Sequence, residues 1–219
     1  MKRFFTILSL LLVFGASQAQ VKFGVQAGAN LATITEDYDY GDESDKAFRL
    51  APRVGVYVDF EMADWFALRP GVFYAGKGTS WDYDGVESID YARTSLHYIE
   101  VPVNAVFKAG QVEFYVGPYV AVAISGQDKL KIDGDKVSDD YSFKNSLDEG
   151  DYNSDDMYLK ATDFGFQLGV GYNFDPIILS ATFSKGLSNM IPDVDGIDLG
   201  DDKVSNTVLN ISVAYTFGQ

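Results

Sequence analysis

The chain contains no cysteine and one histidine in 219 residues. The first absence excludes disulfides and thiol chemistry. The second leaves a thin basis for any acid–base centre built on imidazole. Cations are also scarce. The 17 Lys and Arg stand against 32 Asp and Glu, a formal charge of −15, which excludes nucleic acid as a partner because its phosphates need cations opposite them. No helical period competes with the pattern described below in the chain beyond residue 19.

The one long apolar run lies at the start. Met1-Lys2-Arg3 is basic, and Phe4 to Gly15 is apolar except for Thr6 and Ser9. That run is short of the roughly 18 to 20 residues a spanning helix needs. Ser17-Gln18-Ala19 offers small residues at −3 and −1 of a cleavage site. The expectation is a secretory signal over 1–19 and one mature domain over 20–219. No cysteine follows the apolar run, so a lipid-anchored N-terminus is excluded.

What the chain does have is alternation. From Thr207 to Phe217, one face carries Leu209, Ile211, Val213, Tyr215 and Phe217, and the other carries Asn210, Ser212, Ala214 and Thr216. The same period recurs over about 21–31, 50–60, 65–77, 97–107, 112–125, 162–174 and 177–186, so the sequence predicts eight strands. Lengths of about 10 to 13 residues suit tilted membrane-crossing strands better than the five or six of a soluble sheet.

The connections alternate in length. Short ones fall at Glu61–Asp64, Lys108–Gln111 and Asp175–Pro176, and long ones at 32–49, 78–95, 126–160 and 188–206. The long segments hold 25 of the 32 acidic and nine of the 17 basic residues, so they carry −16 while the remainder sums to +1. This pattern predicts an outer-membrane barrel with both termini and the short turns in the periplasm and acidic loops outside.

A soluble lipocalin-type barrel is the structural rival, with its apolar face turned inward. Here the opposite face bears Gly, Ser, Asn, Arg, Asp and Glu. It is too poor in apolar residues for a core and too rich in glycine for a solvated surface. Inward glycine suits a narrow eight-stranded barrel, where backbones approach closely.

At these residues the chain resembles the OmpX-like and PorT-like outer-membrane barrels common in Bacteroidetes, often labelled porin family proteins. The resemblance rests on Val21 to Leu31 (VKFGVQAGANL), Leu68 to Val72, Gly76-Lys77-Gly78, Tyr98 to Pro102, Gly117-Pro118-Tyr119, Asp163-Phe164-Gly165, Gly169 to Tyr172, Lys185-Gly186-Leu187 and Ala214 to Phe217. It spans the mature chain and implies the fold. A secretion-system accessory role is what its PorT-like side permits. Gly218-Gln219 follow the terminal aromatic, a small departure from the pattern. The strand of Leu209, Ile211, Val213, Tyr215 and Phe217 is implied to be the signal read by the barrel-assembly machinery.

Four groups of residues are candidates for function. The alternation turns Arg53, Asp59, Arg69, Lys77, Glu100, Glu113, Asp163 and Gln167 inward. Buried charges must pair, and eight strands are too few for an aqueous channel. The expectation is therefore a polar plug, with Glu100 between Arg53 and Arg69, rather than a conduction path. His97, with Ser95 and Asp90 near it, invites a lipid-modifying centre; a rim histidine amid Tyr91 and Tyr98 in an interfacial aromatic belt is the expectation. Asp193-Val-Asp195-Gly196-Ile-Asp198 and Asp133-Gly134-Asp135 alternate carboxylates, yet neither completes a calcium loop. Tyr38, Tyr40, Trp81, Tyr83, Tyr91, Tyr141, Phe143, Tyr152 and Tyr158 are partner hot spots or residues that fold the third loop over the mouth, the second being favoured.

The reading is thus all-β: an eight-stranded antiparallel transmembrane barrel in a Gram-negative outer membrane, without cofactor, metal or catalytic residues. Its expected role is structural or in interaction. Expected partners are outer-membrane lipid and lipopolysaccharide, the assembly machinery during insertion, and an envelope protein. A small-solute channel is the second reading and a lipid-modifying enzyme the third.

Overall fold

The computed structural model describes residues 20–37, 46–81, 89–132, 135–148, 151, 156–194 and 203–217. The expected signal segment lies outside them. The strands are β1 (Gln20–Asp37), β2 (Lys46–Ala47), β3 (Arg49–Ala63), β4 (Phe66–Trp81), β5 (Ile89–Ala109), β6 (Val112–Ile132), β7 (Asp135–Phe143), β8 (Ser146–Leu147), β9 (Met157–Leu159), β10 (Thr162–Asn173), β11 (Ile177–Gly186), β12 (Asp193–Val194) and β13 (Lys203–Phe217).

Eight of these close on themselves. β1 pairs with β3, then β4, β5, β6, β10, β11 and β13 follow as successive antiparallel neighbours, and β13 pairs back onto β1. Closure satisfies every edge, which an open sheet in lipid cannot do. The closing seam is long. It runs in unbroken register from Phe23 opposite Phe217 to Asp37 opposite Lys203.

The faces divide as the alternation requires. Val54, Val120 and Ile211 are 51 %, 56 % and 55 % exposed, so the wall is apolar on its outside, as a lipid-facing wall must be. At the short-turn end the outer wall carries aromatics: Trp65 stacks on Phe107 at 6.3 Å, and tilted pairs join Phe66 to Phe107 at 5.4 Å and Tyr172 to Phe174 at 4.6 Å. Tyr215 and Phe217 of the closing strand meet at 4.8 Å. Amphipathic rings concentrate at such interfaces.

Inward glycines make room for inward rings of the neighbouring strand. A Cβ on Gly24 meets the Tyr57 ring, and one on Gly169 meets the Tyr115 ring. Each ring lies across that glycine to the next strand along the wall, Tyr57 reaching Thr216 on β13 (2.9 Å) and Tyr115 reaching Thr182 on β11 (2.5 Å). Small against large is what fills a narrow barrel without voids.

Expected extents need correction at the long-loop end, where β1, β4 and β13 run to Asp37, Trp81 and back to Lys203. The strands expected over 97–107 and 112–125 run from 89 to 109 and from 112 to 132. Part of the expected third loop is also strand, since β7 pairs with the end of β6. Apolar alternation stops where the wall leaves lipid, but backbone pairing continues, as Thr94 opposite Asp128 and Arg93 opposite Lys129 show. A ladder needs amide and carbonyl groups, not apolar side chains.

Replacing Gly169 with Val is expected to destabilise the barrel by about 1–3 kcal/mol, the usual range for overpacking. The Tyr115 ring has to leave its slot and its Thr182 bond. The check is the guanidinium unfolding midpoint of the refolded protein, with an unchanged midpoint counting against the slot.

Candidate functional site: the charged lumen

Each inward charge named from the sequence is buried, with none more than 9 % exposed. They fall into two linked groups. Arg69 on β4 grips Asp59 on β3 through both carboxylate oxygens, Nε to Oδ1 at 2.5 Å and Nη2 to Oδ2 at 2.7 Å. The same Nη2 donates to Glu113 on β6 at 2.9 Å. Nearer the long-loop end, Glu100 on β5 sits between Arg53 at 3.1 Å and Lys77 at 2.9 Å. Lys77 also reaches Asp163 on β10 at 3.1 Å.

The expected pairing of Glu100 with Arg69 is not found. Register decides this: Glu100 lies opposite Phe73, whereas Arg69 lies opposite Asn104, further toward the short turns. Arg69 therefore meets the carboxylates of that level, and Lys77 takes the second side of Glu100.

Three cations face four carboxylates, one negative charge in excess. The surplus lies in the first group, where Arg69 alone faces Asp59 and Glu113. Asp163, which shares Lys77 with Glu100, has neutral donors around it as well: Ser188 at 2.8 Å, Asn206 at 3.1 Å and Tyr119 at 3.3 Å. Aromatic faces add to the cations' side. Arg53 lies 3.8 Å from the Phe73 ring centroid, Arg69 4.7 Å from Tyr57, and Lys77 4.3 Å from Tyr119. Gln167 donates to Asn104 at 2.9 Å, while its own carbonyl has no partner among the described residues. A residual cavity at this level, lined by Gln26, Arg53, Tyr57, Arg69 and Gln167 among others, measures about 20 Å3. That is room for about one water.

Above the charges the mouth is closed by apolar packing. Ile34, Leu96, Tyr98, Tyr119, Ala121 and Met190 form one buried cluster, with Tyr141, Phe143 and Leu159 laid against it. Tyr141 donates to Asp128 at 2.6 Å, and Thr94 donates to the other oxygen at 2.5 Å. Burial, then the Asp128 carboxylate, pushes the Tyr141 phenol above the usual tyrosine range. It stays protonated, and donating, well into alkaline pH. Two parallel pairings knit the cover: β7 with β9, and β8 with β12. Lys160 ties Asp193 at 2.8 Å.

The other sequence candidates fall as follows. His97 stacks on Tyr74 at 5.7 Å and its Nδ1 bonds the Tyr74 hydroxyl at 2.5 Å; of its two expected neighbours, Tyr98 instead points inward and is 1 % exposed. As consecutive strand residues the two side chains take opposite faces. Among the described residues Ser95 makes no hydrogen bond to His97. Tyr91 lies beneath Arg93 at 5.7 Å, and Tyr158 donates to Asp156 at 3.2 Å. Trp81 ends β4, opposite Lys46. Tyr38, Tyr40, Tyr83, Tyr152, Asp133, Gly134, Asp195, Gly196 and Asp198 lie outside the described residues, as does the Asp90 side chain. Among the described residues no group of acidic or histidine side chains is placed to hold a metal. Leu209, Ile211, Val213, Tyr215 and Phe217 all face outward, 41 % to 55 % exposed.

Ser188, Asn206 and Met190 were not named by sequence reasoning, because they sit in segments that read as loop. A polar residue beyond the apolar alternation carries no periodic signal, even where, as at Asn206, the strand itself continues.

A family described as outer membrane protein beta-barrel domain matches residues 16–192. The chain belongs to this family. Its location is accordingly the outer membrane. The matched span stops before the closing strand of this outer-membrane barrel, which its pairing with β1 and β11 places in the same wall. No curated protein matches the chain. Among solved structures, Ail, the attachment invasion locus protein of Yersinia pestis, is 14 % identical over 90 % of this chain and 99 % of its own, with a TM-score of 0.47. Neisserial surface protein A is 16 % identical over 89 % of this chain and 97 % of its own, also at 0.47. The N-terminal barrel of Pseudomonas aeruginosa OprF is 10 % identical over 91 % of this chain and 100 % of its own, at 0.38.

Glu100→Gln leaves Arg53 and Lys77 without their shared anion. The expected cost is about 3–5 kcal/mol, typical of breaking a buried pair. Glu61→Gln is the control. Glu61 bridges Lys22 and Lys108 at the short-turn rim, where a partly solvated pair is worth about 1 kcal/mol or less. Denaturant midpoints of the two variants separate these values, and equal losses would show that the lumen is wet.

Proposed function

We propose that this protein is a non-conducting outer-membrane barrel with a structural or interaction role, in which the plugged lumen acts as a rigid pedestal for the acidic long-loop end. The observation that carries this reading is the filled lumen: seven charges paired across strands, a residual cavity of about 20 Å3, and an apolar cover over the mouth. Ions cross only where a continuous hydrated path exists. The cover also gives the loops a fixed base, since β7 continues the β6 ladder and packs its aromatics onto the inner cluster. The partner is an envelope protein, which makes the chain an accessory subunit of an envelope or secretion complex, as the PorT-like resemblance suggests. Export through a cleaved signal over 1–19, and recognition of the outward-facing closing strand by the assembly machinery, belong to the same reading. No catalytic step is assigned, because Ser95 and His97 lack the nucleophile–base contact that hydroxyl activation needs.

Two measurements test it. In planar bilayers the refolded protein is expected to give no steady current, and Glu100→Gln none either; a reproducible wild-type conductance would replace this reading with the channel. Affinity capture of the tagged protein from gently solubilised outer membrane is expected to retain a stoichiometric envelope partner. Recovery of a clean monomer would count against the accessory role.

A further inference from the structure

On the outside of the barrel, at the upper edge of the apolar wall, three cations and the single histidine share a cavity of about 340 Å3. Arg49 comes from β3, Arg93 and His97 from β5, and Lys129 from β6. Arg93 and His97 alternate with Leu96 and Tyr98, which belong to the inner cluster, so the cavity lies on the outer side. β4 runs between β3 and β5 beside it as Gly76-Lys77-Gly78, with Gly76 opposite His97 and Gly78 opposite Ser95. Without side chains there, the Arg49 guanidinium extends over β4 and donates from Nη1 to the Lys77 carbonyl at 2.7 Å. Gly78 is held at a φ of 114°, where a Cβ also meets the Thr94 carbonyl.

Among the described residues the group holds three cations and one lining carboxylate, Asp140, so it stays net positive. Arg49 is only 9 % exposed, yet its buried Nε has no partner among the described residues. None of the three cations forms an ion pair with a described carboxylate; every such pair lies elsewhere. Asp140 stands at the edge of the cavity but accepts from Gln127 at 2.8 Å. A buried unsatisfied guanidinium nitrogen is costly, and like charges in one cavity repel. An anion relieves both.

The height of the cavity identifies the anion. On β5 the outward residues are Phe107, Val103, Val101 and Ile99, all apolar, and then His97, Ser95 and Arg93. From Phe107 to His97 the chain advances about 33 Å at roughly 3.3 Å per residue. At a tilt near 40° this is about 25 Å along the barrel axis, the height of the apolar band of an outer-membrane barrel. The cations therefore begin where hydrocarbon ends and headgroups start.

We propose that Arg49, Arg93 and Lys129 bind the phosphate of an outer-leaflet lipid headgroup, with the paired guanidinium groups supplying the forked donors that phosphate accepts. This rests on the outer-membrane placement above, and not on the closed lumen.

The test is native mass spectrometry of the refolded barrel in detergent, with diphosphoryl lipid A, its dephosphorylated counterpart, or inorganic phosphate added at equal concentration. The barrel is expected to retain diphosphoryl lipid A and neither of the others. Arg93→Gln combined with Lys129→Gln alters two exposed positions and is expected to weaken retention about tenfold or more, as loss of charge-assisted bonds does. Arg49→Gln is expected to weaken it further; if that variant does not refold, the double variant carries the test alone. Equal retention of both lipids, no retention of diphosphoryl lipid A, or unchanged retention by the double variant overturns the site. Inorganic phosphate bound as firmly as the lipid overturns the lipid as its occupant. A failure here leaves the bilayer recordings unaffected, and a measured current leaves this site unaffected.

Discussion

Everything inside this barrel follows from the need to pair charge where water is excluded. Eight strands enclose a lumen that side chains fill, and an ion there loses its hydration at a cost of several kcal/mol. Seven ionised groups nevertheless point inward. They are tolerable because each lies against a counter-charge from another strand: Asp59 and Arg69 across β3 and β4, Arg69 and Glu113 across to β6, Lys77 and Asp163 across to β10. Contacts that join distant strands fix the barrel's register from within, complementing the backbone ladder that fixes it from outside.

The same narrowness shapes the neutral parts of the interior. A ring as large as tyrosine fits only where the facing strand gives up its side chain, as at Gly24 beneath Tyr57 and Gly169 beneath Tyr115. The hydroxyl at the far end of each ring then reaches a threonine on the strand just beyond the glycine. At the upper end Met190, Tyr141 and Phe143 replace charge with apolar packing. The acidic segments thus divide into a part that builds the cover and a part that faces away from it.

Much of the architecture was legible in the sequence, because a period of two is a local property. Leu209, Ile211, Val213, Tyr215 and Phe217 needed no knowledge of their neighbours to be assigned to one face, and Arg53, Asp59 and Lys77 could be assigned inward on the same grounds. Strand ends were not legible in the same way. Thr94, Asp128 and Lys129 lie in a ladder whose side chains carry no apolar pattern, so β5 and β6 run further than alternation shows. His97 was placed at the rim, but Tyr98, next to it in the strand, faces inward, and Tyr74 on β4 is the stacking partner of His97.

The alternating pattern, the alternating loop lengths and the sign of the charge in each segment specified the barrel, its number of strands and which residues line it, since all three are set along a single strand or loop. Which inward charges meet was settled by register and stagger between strands. A shift by an even number of residues leaves the faces unchanged but changes which cation of β4 stands beside Glu100, since Arg69 and Lys77 lie four residues to either side of Phe73, its partner in the ladder. Arg49 is the other case. Its place among Arg93, His97 and Lys129 depends on three strands meeting over a pair of glycines, a juxtaposition that exists only once the sheet has closed.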